Sequence, residues 1–208
     1  MKDIAIIGYG QYAHVIREMI VESNNFCFKG FIGKKNDNNV EYNDINLNQL
    51  KENNIFNLAN GIGNISYFWI EDLMTRFVEA GFKFPKILHP SSVISRSATI
   101  GDGTVILESA IVKTNATIGQ FCLINSGSIV SHDCLVEDFV HISLGAKIGG
   151  GCKIGKNSFL GINSSVLQNK QVGNNVIIGA GAVVIDDITD NVVVVGNPAK
   201  IIKKREKQ

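Results

Sequence analysis

The chain has 208 residues, 45% of them apolar, which is enough for one large domain or two small ones with an ample core. Its 20 Lys and Arg nearly cancel its 19 Asp and Glu, which removes any global electrostatic case for a nucleic-acid partner or an anionic membrane surface. No apolar run approaches the roughly 20 residues of a membrane span. MKDIAIIGYG meets glycine too soon for a signal peptide, so the expected location is the cytoplasm.

Residues 1–84 alternate apolar runs with helix-like segments, the pattern of βαβ units on a parallel sheet. DIAIIG reads as a strand, and GQYAHVIREMIVES as a helix with Ala13, Ile16, Met19 and Ile20 on one side. FCFKGFIG reads as a second strand, NLNQLKEN as a short helix and FNLANGIG as a third strand. ISYFWIEDLMTRFVEAG reads as a longer helix stopped by Gly81. The expected first domain, 1–84, is therefore α/β and Rossmann-like. Its first turn, GYGQYA, has the opening G-x-G of a dinucleotide fingerprint without the third glycine. Gly8 and Gly10 allow a phosphate-bearing or ribose-bearing ligand to approach a helix start, and NGIGN at 60–64 adds a second glycine-rich strand end to the same crevice. The alternative is a tight turn without a ligand.

From Leu88 the chain falls into six-residue register. Every sixth residue to Val184 is aliphatic, through Ile94, Ile100, Ile106, Val112, Ile118, Ile124, Val130, Val136, Ile142, Ile148, Ile154, Leu160, Val166, Val172 and Ile178. Glycine often follows the aliphatic residue, and a small residue usually sits four after it. Cys122, Cys134 and Cys152 take that small slot. With no CxxC pairing, the four cysteines suggest neither a disulfide framework nor a metal site. This is a hexapeptide repeat, in which each hexapeptide forms one flat face of a coil and stability comes from stacking rungs. Residues 85–208 form the expected second domain. The basic end, KKREK at 203–207, reads as a solvated terminus.

His132 lies two residues after Val130, and His141 one before Ile142. Neither takes the aliphatic slot, so both are expected to face outward, with acidic Asp133 beside the first. An outward pair on neighbouring rungs points to a site.

The repeat resembles the hexapeptide acyltransferases. The whole chain is similar to their sugar-acetylating subfamily through HPSSVIS, INSGSIVSHDC, DFVHIS, FLGINSSV, IGAGAVV and GNPAK. That resemblance implies a left-handed parallel β-helix, a homotrimer, and acetyl-CoA as co-substrate bound between adjacent coils, with no metal. It also implies N-acetylation of a UDP-, dTDP- or GDP-linked 4-amino-dideoxy sugar. By position it makes His132 the general base and Asp133 the neighbour that raises its basicity. Asn125 would lie near the acceptor amine, and His141 would contact the cofactor. Gly150 would offer a backbone N–H to the thioester oxygen, while Ile162 and Ala180 would line the acetyl-CoA cleft. Gly8, Gly10, Gln11, Tyr12 and Gly63 fall in the nucleotide crevice. Gln11 and Tyr12 stand where the family has Gly and His, and Gly33, Lys34 and Lys35 stand where it has an acidic pair; the two lysines are assigned to acceptor binding.

The chemistry is consistent without the family. Acetyl transfer to an amine needs a group to take its proton, which histidine does in the useful range, and a donor aimed at the carbonyl oxygen. No Cys or Ser stands in a nucleophile-like setting, so direct transfer is expected. Three other readings remain: sialic acid O-acetylation, a zinc hydratase of the γ-carbonic-anhydrase kind, and a non-catalytic scaffold. The hydratase needs three histidine ligands, whereas the coil proper holds His132 and His141, with His89 at its edge and His14 in the first domain.

Overall fold

The computed structural model describes residues 1–34, 40–44, 46–63 and 69–205. The chain separates into two compact units, Met1–Ile87 and Leu88–Gln208.

The first unit runs β1 (Lys2–Ile7), α1 (Gln11–Ser23), β2 (Phe26–Gly33), β3 (Tyr42–Asn43), α2 (Leu47–Glu52), β4 (Asn57–Asn60) and α3 (Trp69–Glu79). The sheet is parallel in the order β3-β2-β1-β4. β1 is central, and its run Ile4, Ala5, Ile6, Ile7 is buried throughout, as a parallel strand covered on both faces requires. Helix α1 buries the four residues that its periodicity selects, Ala13, Ile16, Met19 and Ile20. Helix α3 buries Ile70, Met74 and Phe77 and ends at Gly81, whose φ of 89° only glycine adopts freely. The part of this helix expected from Ile65 to Phe68 lies outside the described residues. The two-residue β3 is an addition, since it is too short to carry a pattern.

In the second unit each strand pairs with the one eighteen residues on: Thr117 with Leu135, Leu123 with His141, Ile129 with Lys147. Three hexapeptides therefore make one turn, and three parallel sheets run along the coil. The inward residues Ile106, Ile124, Ile142, Leu160 and Ile178 stack in one fully buried column. Each fully buried aliphatic side chain is worth ~1.5–3 kcal/mol, so the stack is the main source of order in this unit. Corners close through a residue in the left-handed region three after the aliphatic one, such as Asn115, Asp133, Asn163 and Asn169. Asn and Asp tolerate that conformation. Phe121 and Phe139 also adopt it, and their rings stack 5.1 Å apart on successive rungs.

Two expectations change here. Leu88, the first member of the register, is 38% exposed. The coil also continues past Val184 as Val192–Val195, and Lys200–Lys204 returns antiparallel to it. In the basic end Lys203 and Lys204 are exposed, as expected of a solvated terminus, while the Arg205 N–H donates to Asn191 O at 2.8 Å and its guanidinium to Asn175 O at 3.0 Å; the rest of KKREK lies outside the described residues. No helix among the described residues is long and apolar enough to cross a membrane.

Candidate functional site

His132 projects from a corner of the coil, between the strand Ile129–Val130 and the strand Leu135–Val136. Its Nδ1 lies 2.8 Å from Asp133 Oδ2, with both side chains more than half exposed. Asn115, one turn earlier, donates to the other oxygen, Asp133 Oδ1, at 3.1 Å. These two hydrogen bonds, the His132 one first, hold the Asp133 carboxyl below its ordinary range and keep it ionised. An ionised carboxylate accepts, so Nδ1 carries the imidazole proton and Nε2 faces out with its lone pair. Gly150, one turn later, lies against this ring, and a Cβ there would stand 2.5 Å from Nε2.

His141 belongs to a different cluster. It lies on the eight-stranded sheet, between Leu123 and Phe159 in the ladder, with the Phe159 ring edge-on at 5.2 Å. It points away from the coil interior as expected, but it is only 6% exposed, and Val105, Leu107, Leu123 and Ser143 beside it are buried too. Burial lowers its pKa from 6.5 to about 4, so it is neutral at physiological pH. Asn125 Oδ1 accepts the Ser126 N–H at 2.8 Å, which turns the Asn125 Nδ2 toward His141 Nε2 at 3.4 Å. Nε2 is thus the acceptor and the proton resides on Nδ1, which is buried without a partner among the described residues. A buried N–H of this kind suits a carbonyl oxygen of a ligand.

Ile162 and Ala180 occupy one corner on successive rungs, both exposed, linked by Gly181 N–H to Ile162 O at 2.8 Å. The N–H groups of Gly150, Ile162 and Ala180 make no main-chain hydrogen bond among the described residues.

In the first unit, Gly8 ends β1 with φ 92°, and Gly61 follows β4, its N–H bonded to Ile7 O at 2.8 Å. Gly10 precedes α1 without a side-chain cap, and a Cβ there would meet nothing. Gln11 is exposed on the first turn. The Tyr12 ring fills the space a Gly63 side chain would take, and burial raises its phenol pKa. Gly8, Gly10, Gln11, Tyr12 and Gly63 share the carboxyl edge of the sheet with Gly61, where ligands of open α/β sheets sit. Lys34 follows β2 and is exposed; Lys35 lies outside the described residues.

The model of the bacterial transferase hexapeptide family (six repeats) matches residues 151–186. No curated protein matches the chain. Among solved structures, the acetyltransferase domain of PglB from Neisseria gonorrhoeae is 31% identical, with 97% of this chain and 100% of that one covered and a TM-score of 0.89. The chain belongs to the hexapeptide-repeat sugar N-acyltransferases. The same domain solved with acetyl coenzyme A is 32% identical over 97% of this chain and 99% of that one, with a TM-score of 0.88. The perosamine N-acetyltransferase of Caulobacter crescentus, solved with CoA and GDP-perosamine, is 27% identical over 98% of both chains, with a TM-score of 0.92.

For this member, the structure adds residues that the six-residue register does not single out. Asn115 braces Asp133, and Phe159 flanks His141. The Ser126 hydroxyl donates to Glu108 Oε2 at 2.6 Å, which lowers the Glu108 carboxyl pKa. Asn115 stands eighteen residues before Asp133 and Glu108 eighteen before Ser126, so the turn length is the signal that finds them. Among the described residues no group of three or more His, Cys, Asp or Glu could hold a metal ion.

Proposed function

We propose that the chain transfers the acetyl group of acetyl-CoA to the amine of a nucleotide-linked amino sugar, of the 4-amino-4,6-dideoxy class. The observation that carries this reading is the braced His132–Asp133 pair, on a coil that matches acetyltransferases over nearly their whole length. The relatives bring the substrate class: one was solved with GDP-perosamine, another with acetyl coenzyme A. The reading includes a left-handed coil, a Rossmann-like nucleotide-binding front unit and a cytoplasmic enzyme.

His132 Nε2 accepts the amine proton as the amine adds to the thioester carbonyl carbon, and returns it to sulfur as the carbon–sulfur bond breaks. Asp133, held by Asn115 and its corner, fixes the tautomer and stabilises the imidazolium. Gly150 N–H and His141 Nδ1–H are the donors for carbonyl oxygens of the acetyl donor. Direct transfer is supported by the burial of Cys122, Cys134 and Cys152 inside the coil, each no more than 2% exposed.

His132 stands at a corner and His141 on the eight-stranded sheet, and among the described residues no hydrogen bond or ring contact joins them. In this reading one copy brings His132 and a neighbouring copy His141 to each acetyl group, as sites between the coils of a homotrimer would. The function is tested by incubating the protein with acetyl-CoA and a panel of UDP-, dTDP- and GDP-linked amino sugars while thiol release is followed. Release with a nucleotide-linked amino sugar is expected; release with free sialic acid alone contradicts the reading.

A further inference from the structure

The eighteen-residue turn stacks Arg96 and Thr114 on the two rungs before His132, at the same corner of the coil, and Gly150, Gln168 and Asp186 on the rungs after it. Neighbouring strands lie about 4.8 Å apart, so Arg96 stands about 10 Å along this ridge from the base. Lys113, next to Thr114, leaves the outer side of the strand Ile111–Val112, and its N–H donates to Val130 O at 2.9 Å, which seats it one rung before Ser131. Both cationic side chains are exposed. Neither makes an ion pair or a side-chain hydrogen bond among the described residues. The corner that carries Arg96 is itself fixed: Ser97 Oγ accepts the Asn115 N–H at 3.1 Å and lies 3.3 Å from Ser95 Oγ. Asn115 is the residue that braces Asp133, so the cation and the base hang on one hydrogen-bonded column.

The ridge is polarised along its length. On the rungs before His132 it carries Arg96 and Lys113, whereas its far end carries Asp186 followed by Asp187, both exposed. An anionic ligand that reaches His132 is therefore drawn toward the Arg96 end and repelled from the other. A guanidinium fork with an ammonium beside it suits phosphate oxygens, the first by paired hydrogen bonds and the second as a point charge.

We infer that Arg96 and Lys113 hold the diphosphate of the acceptor while His132 takes the proton from its amine. This rests on the nucleotide-linked reading above. In a 4-amino sugar the reacting nitrogen is on C4 and the phosphate on C1, at opposite ends of the ring. With the nitrogen at His132 Nε2, the phosphates fall one sugar ring away along the ridge, where the long side chains of Arg96 and Lys113 reach them. The pair acts on acceptor specificity, because a free amino sugar has nothing for it to hold.

The test follows thiol release with acetyl-CoA and the UDP-, dTDP- and GDP-linked forms of 4-amino-4,6-dideoxyglucose, for wild type, Arg96→Gln, Lys113→Gln, the double variant and Arg96→Lys. For the sugar that wild type uses best, each single Gln variant is expected to raise its KM by about tenfold, as for the loss of a hydrogen bond to a charged group, and the double variant by more. The kcat, the KM of acetyl-CoA and the melting temperature should stay near wild type, and Arg96→Lys should recover part of the loss. Added salt should raise the wild-type KM for the sugar and hardly move that of the double variant. A sugar KM unchanged in both single variants overturns the proposal and leaves the nucleotide-linked reading standing. A rise in the acetyl-CoA KM in its place also overturns it, since the cations would then hold phosphates of the donor. A wild type that turns over none of the three sugars overturns both.

Discussion

Gly150 lies against the imidazole of His132, one turn below it, so closely that a methyl group at Gly150 would stand 2.5 Å from Nε2. The glycine is there for the ring: among described contacts, nothing but His132 comes that close to its Cβ position. Gly150→Ala should push the imidazole aside, and because the ring is the free end of a side chain the fold should barely notice. The expected result is a kcat lower by about 10- to 100-fold, the scale of a misplacement near 1 Å, with a melting temperature within a few degrees of wild type. Equal losses of activity and stability would mean that the glycine serves the coil rather than the histidine.

Asp133 acts on His132 through one short hydrogen bond, and Asn115 acts on Asp133 through another. Asp133→Asn should lower kcat, since without the carboxylate nothing fixes the proton on Nδ1 and Nε2 is no longer held as the acceptor. Asn115→Ala should have the same direction and a smaller size, about fivefold for the loss of a hydrogen bond worth ~1 kcal/mol. Profiles of kcat against pH for the three proteins check the order. An Asn115→Ala enzyme slower than Asp133→Asn would contradict it.

His141 gives the fold a pH dependence. Its pKa is about 4 folded against an ordinary 6.5, so between these values the unfolded chain binds the proton and the folded one does not. The stabilising effect of a neutral buried imidazole is complete above pH 6.5 and is lost as pH falls toward 4, a change on the order of 3 kcal/mol. Urea unfolding at several pH values should show this slope in wild type. In His141→Phe the part of the slope due to this residue should be missing; an unchanged slope would show that other groups carry it.

The six-residue register was legible because stacked rungs demand an aliphatic side chain at every inward position, and Ile106 to Val184 are buried as that demand requires. Leu88 fits the pattern yet stays exposed, since periodicity does not say where stacking starts. The site was legible only in part. His132 and Asp133 stand out as a polar pair at a corner, whereas Asn115 is visible only through the eighteen-residue turn that stacks it on Asp133. The burial of His141 could not be read from its slot: the register says which way a side chain leaves the coil, and burial of the outer face is a tertiary fact. In the front unit the α1 face was predictable from its period, because one side of a helix facing a sheet must be apolar at every third or fourth residue.

Assembly can be tested through function. If each site takes His132 from one copy and His141 from its neighbour, coexpressed His132→Ala and His141→Phe chains should form mixed trimers in which some sites carry neither change. Random mixing should restore about a quarter of wild-type activity, from two parents that are each nearly inactive. Activity no higher than the sum of the parents would show that each chain works alone.

The most direct measurement of the proton-transfer role is turnover of His132→Ala with acetyl-CoA and a nucleotide-linked amino sugar. A positioned general base predicts a kcat lower by about 10²- to 10⁴-fold, with the KM of the sugar little changed. Near-normal turnover across pH 6 to 9 would contradict it, because the amine would then react without giving its proton to the histidine.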